Sequence, residues 1–553
     1  MIISPRNLIN DQIVEADFCI AGGGPAAISL ALNLPKTSKI VLIAGGGWSE
    51  TSANQDLNRG IIVPPGSHEP LEENRRRQFG GASAVWGGRC VPLDSMDFKK
   101  RFWIDDSGWP ITYEDMFPYY EQAAMLCQIG SFEFCANRVF PNKQKEIIEG
   151  FDSDEFVSNC LERWSPPIHF AKTYRNELEN STNIHILLDA QVLAWEMLAD
   201  CDKITNAKVA VGKFTINIQA KHFLLATGAI ENSRLLLTSA NNYCTKGIGN
   251  EYDNVGRYYM AHLSGTYAEL NLLDRKNVVF DFERDKQNVF CRRRWWIPEK
   301  IQESAKLLNT IFFLHHPNSL NGHRDALFSS VYVAKALLLL AKQRSKSALI
   351  SEAKRLPDIK EHLINIAKNG LPQTPRLIQL GIQRLAKRRL PYILPSKSNK
   401  YWGLYFQTEQ VPNRESRICL SKFHKDDLGI PRVEMKLAFK DIDTESVVHA
   451  HNLFVKNFLQ KKFGEIVYSE DGLRQYLKNK INTFNSGAHH IGGTRMSDDP
   501  KKGVVDKNSK VYGVSNLFIA GSSVFPTGGH ANPTLTIVAQ ALRLANHLKT
   551  KVP

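Results

Sequence analysis

The stretch DFCIAGGGPAAISLALNL, residues 17–34, decides the fold of this chain. Its first half is typical of a short buried strand that ends in a glycine turn, and PAAISLALNL is typical of a helix. Gly22, Gly24 and Ala27 have the spacing G-x-G-x-x-A of a dinucleotide-binding turn. The first glycine permits the tight turn, the second lets the backbone approach a pyrophosphate, and the small third residue lets helix and strand pack closely. The positive end of the helix would face the phosphates.

A second strand is predicted in KIVLIAGGG, residues 39–47, at the distance expected within a βαβ unit. In such units an acidic residue about 20 positions after the glycines binds the ribose hydroxyls. Here that position is Ala44. The ribose must therefore be held by another group, and backbone atoms or Ser49 are candidates.

Two more segments indicate which dinucleotide is bound. RRRQFGGASAVWGGRC, residues 75–90, is a second glycine cluster. KHFLLATGAIENSRLLL, residues 221–237, is typical of a strand that ends at Ala226, Thr227 and Gly228 and leads into a helix. Residues 221–237 would thus add a further strand and helix to the nucleotide-binding sheet, far along the chain from its first strands. Such an interrupted nucleotide-binding domain is typical of FAD proteins, whereas an NAD site usually needs one compact unit.

Histidines stand beside glycine turns near the end of the chain. SGAHHIGGTRM occupies residues 486–496, and PTGGHANPT occupies residues 526–534. Asn532, Pro533 and Thr534 open a predicted helix, with proline in the first turn, where its missing N–H costs nothing. The positive end of this helix would face negative charge that develops on a bound ring. We expect Gly528 and Gly529 to let the backbone pass close to that ring.

Taken together, these segments resemble the glucose-methanol-choline (GMC) oxidoreductase family, flavoenzymes that oxidise alcohols and sugars. The branch with a histidine and asparagine pair, which includes pyranose oxidases and cholesterol oxidases, is the most similar. WGGRCVPLDSMDF, residues 86–98, resembles bacterial members that act on carbohydrates. The stretches that carry the resemblance are IAGGGPAA, FGGASAVWGG, LLATGAIENSRLLL, NVGRYYMAH, HHIGGTRM and NLFIAGSSVFPTGGHANPTLTIVAQALR.

The resemblance and the motif order imply an α/β fold with two domains. A discontinuous Rossmann-like FAD-binding domain would comprise residues 1–110, 180–264 and 486–553. An α+β substrate domain built on an antiparallel sheet would comprise residues 111–179 and 265–485. In the second domain, the segment 401–439 alternates like antiparallel strands and would cover the flavin pocket, with Tyr405, Gln407 and Gln410 as candidates to face substrate.

The family pattern assigns two catalytic residues. His490 matches the family histidine, because Ile491, Gly492 and Gly493 follow it, and Asn532 matches the family asparagine. A histidine is a natural base near neutral pH, and a neutral amide can hold the same hydroxyl. His489 and His530 match no family role. The residues predicted to contact FAD are Gly22, Gly24, Pro25, Ala26, Ala27, Gly80, Gly81, Ser83, Val85, Trp86, Gly87, Gly88, Val192, Ala226, Thr227, Gly228, Gly521, Ser522, Asn532, Pro533 and Thr534.

One departure from the family concerns the attachment of the flavin. In pyranose oxidases, a histidine just before the tryptophan of this loop is bonded covalently to the flavin. This chain has Val85 before Trp86. The resemblance therefore implies FAD that is held without a covalent bond at that position. No cluster with metal-ligand spacing is evident, so no metal is predicted.

The excess of positive charge is concentrated in one segment. The chain carries a formal net charge of +14, and residues 342–400 hold 14 Lys and Arg against three acidic residues, a local net charge of 14 − 3 = +11. Its apolar residues recur at helical spacing, so residues 333–395 are predicted to form basic amphipathic helices. They would form a solvated lid packed on the protein, or contact an anionic membrane surface or an acidic partner. No nucleic-acid-reading motif accompanies the charge.

The sequence also bears on location and redox state. The N-terminal residues lack the basic start and apolar run of a signal peptide, so we expect a cytoplasmic protein, with membrane association at the inner face as the alternative. Nine cysteines without CxxC pairs are predicted to be reduced. Arg89, Arg257 and Arg495 could hold phosphates or carboxylates, although structural salt bridges are favoured.

Three functions remain open at this point. The first is oxidation of a CH–OH group of a sugar or glycoside to a carbonyl by hydride transfer to flavin N5. The second is oxidation of a lipophilic alcohol such as a sterol. The third is a flavin-binding protein without redox turnover, or a lyase. The electron acceptor, whether oxygen, a quinone or a redox protein, is not specified by any motif.

Overall fold

The computed structural model describes residues 2–3, 9–198, 200–242, 244–273, 277–315, 401–484 and 488–550. Between residues 326 and 391 it describes the helix Ile359–Asn369 and residues 326, 329–330, 332–333, 375, 378, 382 and 391. Most of the basic segment 333–395, and therefore most of the helices predicted in it, lies outside the described residues.

The described chain contains eighteen strands: β1 (Ile13–Ala21), β2 (Ile40–Ile43), β3 (Gly60–Ile62), β4 (Arg89–Cys90), β5 (Val157–Trp164), β6 (Ile184–Leu187), β7 (Ala190–Met197), β8 (Ile204–Val211), β9 (Phe214–Leu225), β10 (Leu263–Leu272), β11 (Glu283–Arg284), β12 (Phe290–Trp296), β13 (Thr310–His315), β14 (Tyr401–Thr408), β15 (Arg417–Lys425), β16 (Pro431–Lys436), β17 (Gly464–Val467) and β18 (Leu517–Ile519).

The α-helices of the same described ranges are α1 (Pro25–Asn33), α2 (Ser52–Asp56), α3 (Ser95–Phe98), α4 (Tyr113–Leu126), α5 (Ala136–Val139), α6 (Phe170–Thr173), α7 (Arg175–Glu179), α8 (Ala229–Thr238), α9 (Glu299–Ser304), α10 (Ile359–Asn369), α11 (Asp441–Gln460), α12 (Glu470–Asn482) and α13 (Thr534–Lys549).

The first sheet forms the nucleotide-binding part of the fold. Its strand order is β6-β2-β1-β9-β8-β7, and β18 also pairs with β9. The pairs β2–β6, β1–β2, β1–β9 and β9–β18 are parallel, whereas β7 and β8 add antiparallel strands. Apolar, buried residues form β2 and the second half of β1, as is typical of strands in the centre of a parallel sheet. The predicted order of strand, glycine turn, helix and strand is therefore confirmed at β1, α1 and β2.

The core of this sheet extends beyond the predicted domain boundary. Met116 and Tyr120 of α4 are fully buried in the same core as β1 and α13. The Tyr120 hydroxyl lies 3.0 Å from the hydroxyl of Thr536 in α13. The predicted assignment of residues 111–179 to the substrate domain stays a prediction, and the apolar face of α4 packs against α13, a contact that short-range sequence patterns do not reveal.

The second sheet is antiparallel and has the strand order β17-β10-β14-β13-β12-β5-β4, with β11 paired to β12. A third, smaller sheet has the order β15-β16-β3. Within the segment 401–439, only β14 belongs to the large sheet. β15 and β16 form the predicted hairpin around Asp426–Gly429 but pair with β3, more than 350 residues earlier in the chain. The predicted mixed α/β fold with an antiparallel second sheet is confirmed.

Two further observations concern expectations about the chain as a whole. Cys201 and Cys244 form a disulfide, so the prediction of reduced thiols is wrong for this pair, which the tertiary fold brings together across 43 residues. Seven other cysteines are free. No helix among the described residues has both the length and the apolar character needed to cross a bilayer.

Candidate active site

A groove with a volume of 460 Å³ opens where the parallel strands of the first sheet end. It is lined by the turns after β1 and β9, by the loop before β4, and by residues 488–490, 520–522 and 532–534. Ligands of open α/β sheets bind outside the carboxyl ends of the strands. The position of the groove is thus the position expected for a dinucleotide.

Gly22 and Gly24 have different structural roles in the turn after β1. Gly22 has a φ of +127°, and a Cβ added there would clash with the carbonyl oxygen of Ala226. A Cβ added to Gly24 would meet no atom within 4 Å. Gly24 caps α1 with no side-chain hydrogen bond, so the first N–H groups of α1 face the groove without a capping side chain. These features fit a bound phosphate.

Most of the residues predicted to contact the cofactor line this groove. Among them is Val85, whose aliphatic side chain has no nucleophilic atom and so offers no group for a covalent bond to a flavin. Ala27 and Gly80 do not line the groove. The residues that do are Gly22, Gly24, Pro25, Ala26, Gly81, Ser83, Val85, Trp86, Gly87, Gly88, Val192, Ala226, Thr227, Gly228, Gly521, Ser522, Asn532, Pro533 and Thr534.

A carboxylate that no sequence motif indicated lines the groove. Ser49, a sequence candidate for the ribose contact, does not line the groove, but Glu231 of α8 does. Arg77 donates to Glu231 at 2.7 Å and to Gln191, which stands beside Gly45, at 2.6 Å. The guanidinium groups around Glu231 outweigh its burial and lower its pKa to about 2. Glu231 is therefore an ionised acceptor near the position of Ala44.

The two adjacent histidines of the HHIGG segment have different neighbours, although both line the groove. The ring of His490 stacks on His68 at a centroid distance of 6.1 Å and on Tyr259 at 6.3 Å. Its backbone carbonyl accepts a hydrogen bond from Ser522 at 2.6 Å. In contrast, Nδ1 of His489 lies 2.8 Å from Nδ1 of His262.

The hydrogen bonds of His262 determine the tautomer of His489. Nε2 of His262 lies 2.8 Å from the carbonyl oxygen of Gly529, which can only accept, so this nitrogen carries a proton. Burial lowers the pKa of His262 to about 3, and a neutral ring then has an unprotonated Nδ1. Nδ1 of His489 must therefore donate to it. In neutral His489 this leaves Nε2 unprotonated and able to accept a proton.

Asn532 lies in a polar environment at the start of α13. Nε2 of Gln407 in β14 donates to the carbonyl of His530 and lies 3.4 Å from Oδ1 of Asn532. The His530 ring is fully buried and contacts Arg294 and Asp94. Burial lowers the pKa of His530 to about 4. His530 is therefore a packed structural residue, as the sequence analysis expected.

The glycines 528 and 529 do not have the predicted role. A Cβ added to Gly528 would approach the Ile491 side chain, and one added to Gly529 would clash with the Asp97 carboxylate. Neither glycine lines the groove. The missing side chains of these glycines make room for Ile491 and Asp97, whereas the sequence predicts that they make room for a bound ring.

Three residues contact the neighbours of the histidine and asparagine pair: His262, to which the sequence assigns no role, Arg89, a candidate for phosphates or carboxylates, and Gln407, a candidate to face substrate. His262 is the last residue of the family-like stretch NVGRYYMAH, and this position was the available signal. Arg89 of β4 and Gln407 of β14 are far apart in the sequence, and their side chains form a hydrogen bond. As expected, Arg89 and Arg257 form salt bridges, with Glu162 and Asp253 respectively.

The described residues contain no group of acidic, histidine and cysteine side chains suited to a metal ion.

A groove at the carboxyl ends of a parallel sheet, lined by a glycine turn and by His489, His490 and Asn532, is typical of α/β proteins that bind dinucleotides. Residues 412–541 match the family model described as GMC oxidoreductase. Over nearly its whole length the chain also superposes on a crystal structure of formate oxidase, with a TM-score of 0.53, 14% identity and coverage of 98% of this chain and 99% of that one. The chain is thus similar to GMC oxidoreductases over residues 412–541, and its overall fold is that of the formate oxidase structure.

Two curated relatives align with a large part of the chain. The fructose dehydrogenase large subunit of Gluconobacter japonicus is 25% identical over 60% of this chain and 47% of its own length. The paromamine 6'-oxidase of Streptomyces fradiae is 30% identical over 61% of this chain and 46% of its own length. The chain thus spans about half the length of each of these relatives.

Proposed function

We propose that this chain holds FAD without a covalent bond and oxidises a CH–OH group of a sugar or glycoside to a carbonyl. The observation that carries the proposal is the arrangement of His489, His262 and Asn532 beside one groove with a dinucleotide turn. The similarity to a fructose dehydrogenase favours a sugar as the substrate class. The electron acceptor is oxygen, a quinone or a redox protein.

The cofactor would be held at three places. The N-terminus of α1 and the turn at Gly22 and Gly24 would bind the diphosphate. The carboxylate of Glu231 would accept from the ribose hydroxyls, in place of the missing acidic residue at Ala44. The loop from Gly81 to Gly88 and the start of α13 would contact the flavin, and the positive end of α13 would stabilise negative charge on it.

FAD, when bound, would supply the acceptor for the hydride that leaves the carbinol carbon. An imidazole of this chain removes the proton of the hydroxyl group, and the amide of Asn532 donates a hydrogen bond to the same oxygen. The carbonyl product is released after both transfers. The residues thereby fix the alcohol oxygen on two sides and orient the C–H bond.

The base is either His489 or His490, which are adjacent in the chain. Sequence similarity favours His490, but its ring stacks on His68 and Tyr259. The hydrogen bond from His489 to His262 leaves Nε2 of His489 as the proton acceptor. The His262 ring is held by the carbonyl of Gly529, three residues before Asn532. We therefore assign the base to His489.

The lowered pKa of this base predicts an unusual pH profile. Burial and the neighbouring His262 lower the pKa of His489 well below its ordinary value. An ordinary histidine becomes protonated below about pH 6.5, whereas His489 would stay neutral. We expect kcat/KM for the sugar to stay constant from about pH 7.5 to about pH 5.5. A steady-state profile that falls with unit slope below about pH 6.5 would contradict this assignment.

The experiment that tests the function is an anaerobic screen of the purified yellow protein against sugars, glycosides and sterols. We expect stoichiometric bleaching of the flavin by at least one sugar or glycoside, followed by recovery of the colour with an artificial electron acceptor. Bleaching by sterols alone would favour the lipophilic alcohol. Bound flavin that no alcohol reduces would favour a lyase or a non-redox flavin protein.

One observation favours the second candidate, oxidation of a lipophilic alcohol at a membrane. On α10, Leu363 is 50% exposed and Ile364 is 44% exposed, within the strongly basic segment. An exposed apolar and basic helix is suited to an anionic membrane surface, such as the inner face of the cytoplasmic membrane. Co-sedimentation with anionic but not with zwitterionic vesicles is expected if this segment binds lipid. A protein that stays in the supernatant with both would favour the solvated lid and a cytoplasmic enzyme.

A further inference from the structure

We infer that Gln407 is a positioning residue that turns the amide of Asn532 so that its NH2 group faces the substrate oxygen. The inference rests on the proposed function, because it concerns the group that would hold the alcohol. It assigns a more specific task to a residue of the antiparallel sheet that the sequence marks only as a candidate to face substrate.

Gln407 lies where the large antiparallel sheet meets the start of α13. Its side chain is buried, with 3% exposure. Nε2 donates to the backbone carbonyl of His530, and it lies 3.4 Å from Oδ1 of Asn532. One amide nitrogen thus contacts both the backbone before Asn532 and its side-chain oxygen.

The orientation of the Gln407 amide is itself determined by its partners. Oε1 accepts from a guanidinium nitrogen of Arg89 at 3.0 Å, and a guanidinium group can only donate. On the other side, the carbonyl of His530 can only accept, so it requires the Nε2 end of the amide. A reversed amide would place two donors together and two acceptors together. The two partners therefore select a single orientation.

Arg89 is in turn held by a buried carboxylate. Its second terminal nitrogen donates to Glu162, whose side chain is fully buried. Arg292 binds the other oxygen of Glu162 at 2.9 Å. Although burial alone would raise the pKa of Glu162, these guanidinium groups lower it, so the carboxylate is ionised. Glu162, Arg89, Gln407 and Asn532 form a continuous chain from β5 through β4 and β14 to α13.

This chain of contacts determines which end of the Asn532 amide is available. Oδ1 is directed to the donor of Gln407, which leaves Nδ2 as the end of the amide available to a molecule in the groove that Asn532 lines. A donor at that place stabilises an alcohol oxygen that becomes more negative as His489 removes its proton. An Asn532 amide with the opposite orientation would present an acceptor, which repels that oxygen.

The test compares Gln407→Met with a matched control in the yellow holoenzyme. The control is Gln302→Met, because Gln302 is also fully buried and donates to a backbone carbonyl, that of Ile297, without lining the groove. For Gln407→Met we expect unchanged FAD affinity and flavin reduction by sugar slowed about 100-fold in anaerobic stopped-flow measurements. The control should reduce at the wild-type rate.

A double-mutant cycle separates positioning from general structural damage. In the Asn532→Ala background the amide is gone, so Gln407→Met should change the rate of flavin reduction less than about twofold. An equal loss in both backgrounds, or a wild-type rate for Gln407→Met, would overturn the inference. If the wild-type flavin is reduced by no alcohol at all, the proposed function fails instead.

Gln407→Glu provides a second variant in case the methionine variant does not bind FAD. A carboxylate retains the contact with Arg89 but cannot donate to Oδ1, so Asn532 would reverse and direct Nδ2 to the new carboxylate. We expect a loss of reduction rate at least as large as that of Asn532→Ala. A rate within about twofold of wild type would overturn the inference.

Discussion

His489→Ala is expected to remain yellow and to slow flavin reduction by substrate about 10²- to 10⁴-fold, the usual contribution of a general base. The reason is the tautomer that His262 and the Gly529 carbonyl select, which leaves Nε2 of His489 free of a proton. FAD affinity should change little, because the contacts proposed for the diphosphate and ribose lie elsewhere in the groove. Anaerobic stopped-flow reduction with saturating sugar measures the effect.

His490→Ala is the matched control, because it removes the same ring from the next position. The His490 ring stacks on His68 and Tyr259, and its contact with Ser522 uses the backbone carbonyl, which alanine retains. We expect a loss of less than about tenfold in the rate of flavin reduction. If His490→Ala instead abolished reduction while His489→Ala did not, the base would be the residue that the family pattern indicates.

Gly24→Val is expected to give a folded apoprotein that has lost at least about 100-fold in FAD affinity. No atom lies within 4 Å of a Cβ added at this position, which lines the groove, so a side chain can begin there without a clash. The same space is where the diphosphate approaches the backbone in a G-x-G-x-x-A turn. Flavin fluorescence titration measures the affinity, and thermal unfolding of the apoprotein measures the fold.

Gly22→Ala is expected to destabilise the fold itself, in contrast to Gly24→Val. Its Cβ would clash with the Ala226 carbonyl, and its φ of +127° disfavours any side chain. We expect a lower midpoint of thermal unfolding even without FAD. A Gly24→Val protein that binds FAD as tightly as wild type would show that the diphosphate does not lie at this turn.

The local parts of the fold could be predicted because their signals are short in range. The G-x-G-x-x-A turn, the apolar strand before it and the following helix are contiguous, and the structure contains them as β1 and α1. The parallel sheet then follows, because parallel strands require crossover connections. In contrast, the pairing of β16 with β3 joins segments more than 350 residues apart, and no local pattern specifies such a partner.

The segment that lines the groove could be predicted from its pattern, whereas our choice between its two histidines rests on their contacts in the structure. The HHIGG segment lines the groove as expected, but adjacent residues in an irregular segment point in different directions, so spacing could not decide between His489 and His490. The role of Gly529 could not be predicted either. A Cβ there would clash with the carboxylate of Asp97, which lies 432 positions earlier in the sequence. The contacts of Gln407 depend on a sheet register that composition and periodicity do not reveal.

Hydride transfer from a sugar to bound FAD is tested most directly by the anaerobic rate of flavin reduction with a sugar that is deuterated at the oxidised carbon. Transfer of a hydride from that carbon to a bound FAD predicts that the yellow colour bleaches several times more slowly than with the ordinary sugar. Equal rates for the two sugars under conditions where reduction itself is measured, or a purified protein that contains no FAD and takes up none, would contradict it.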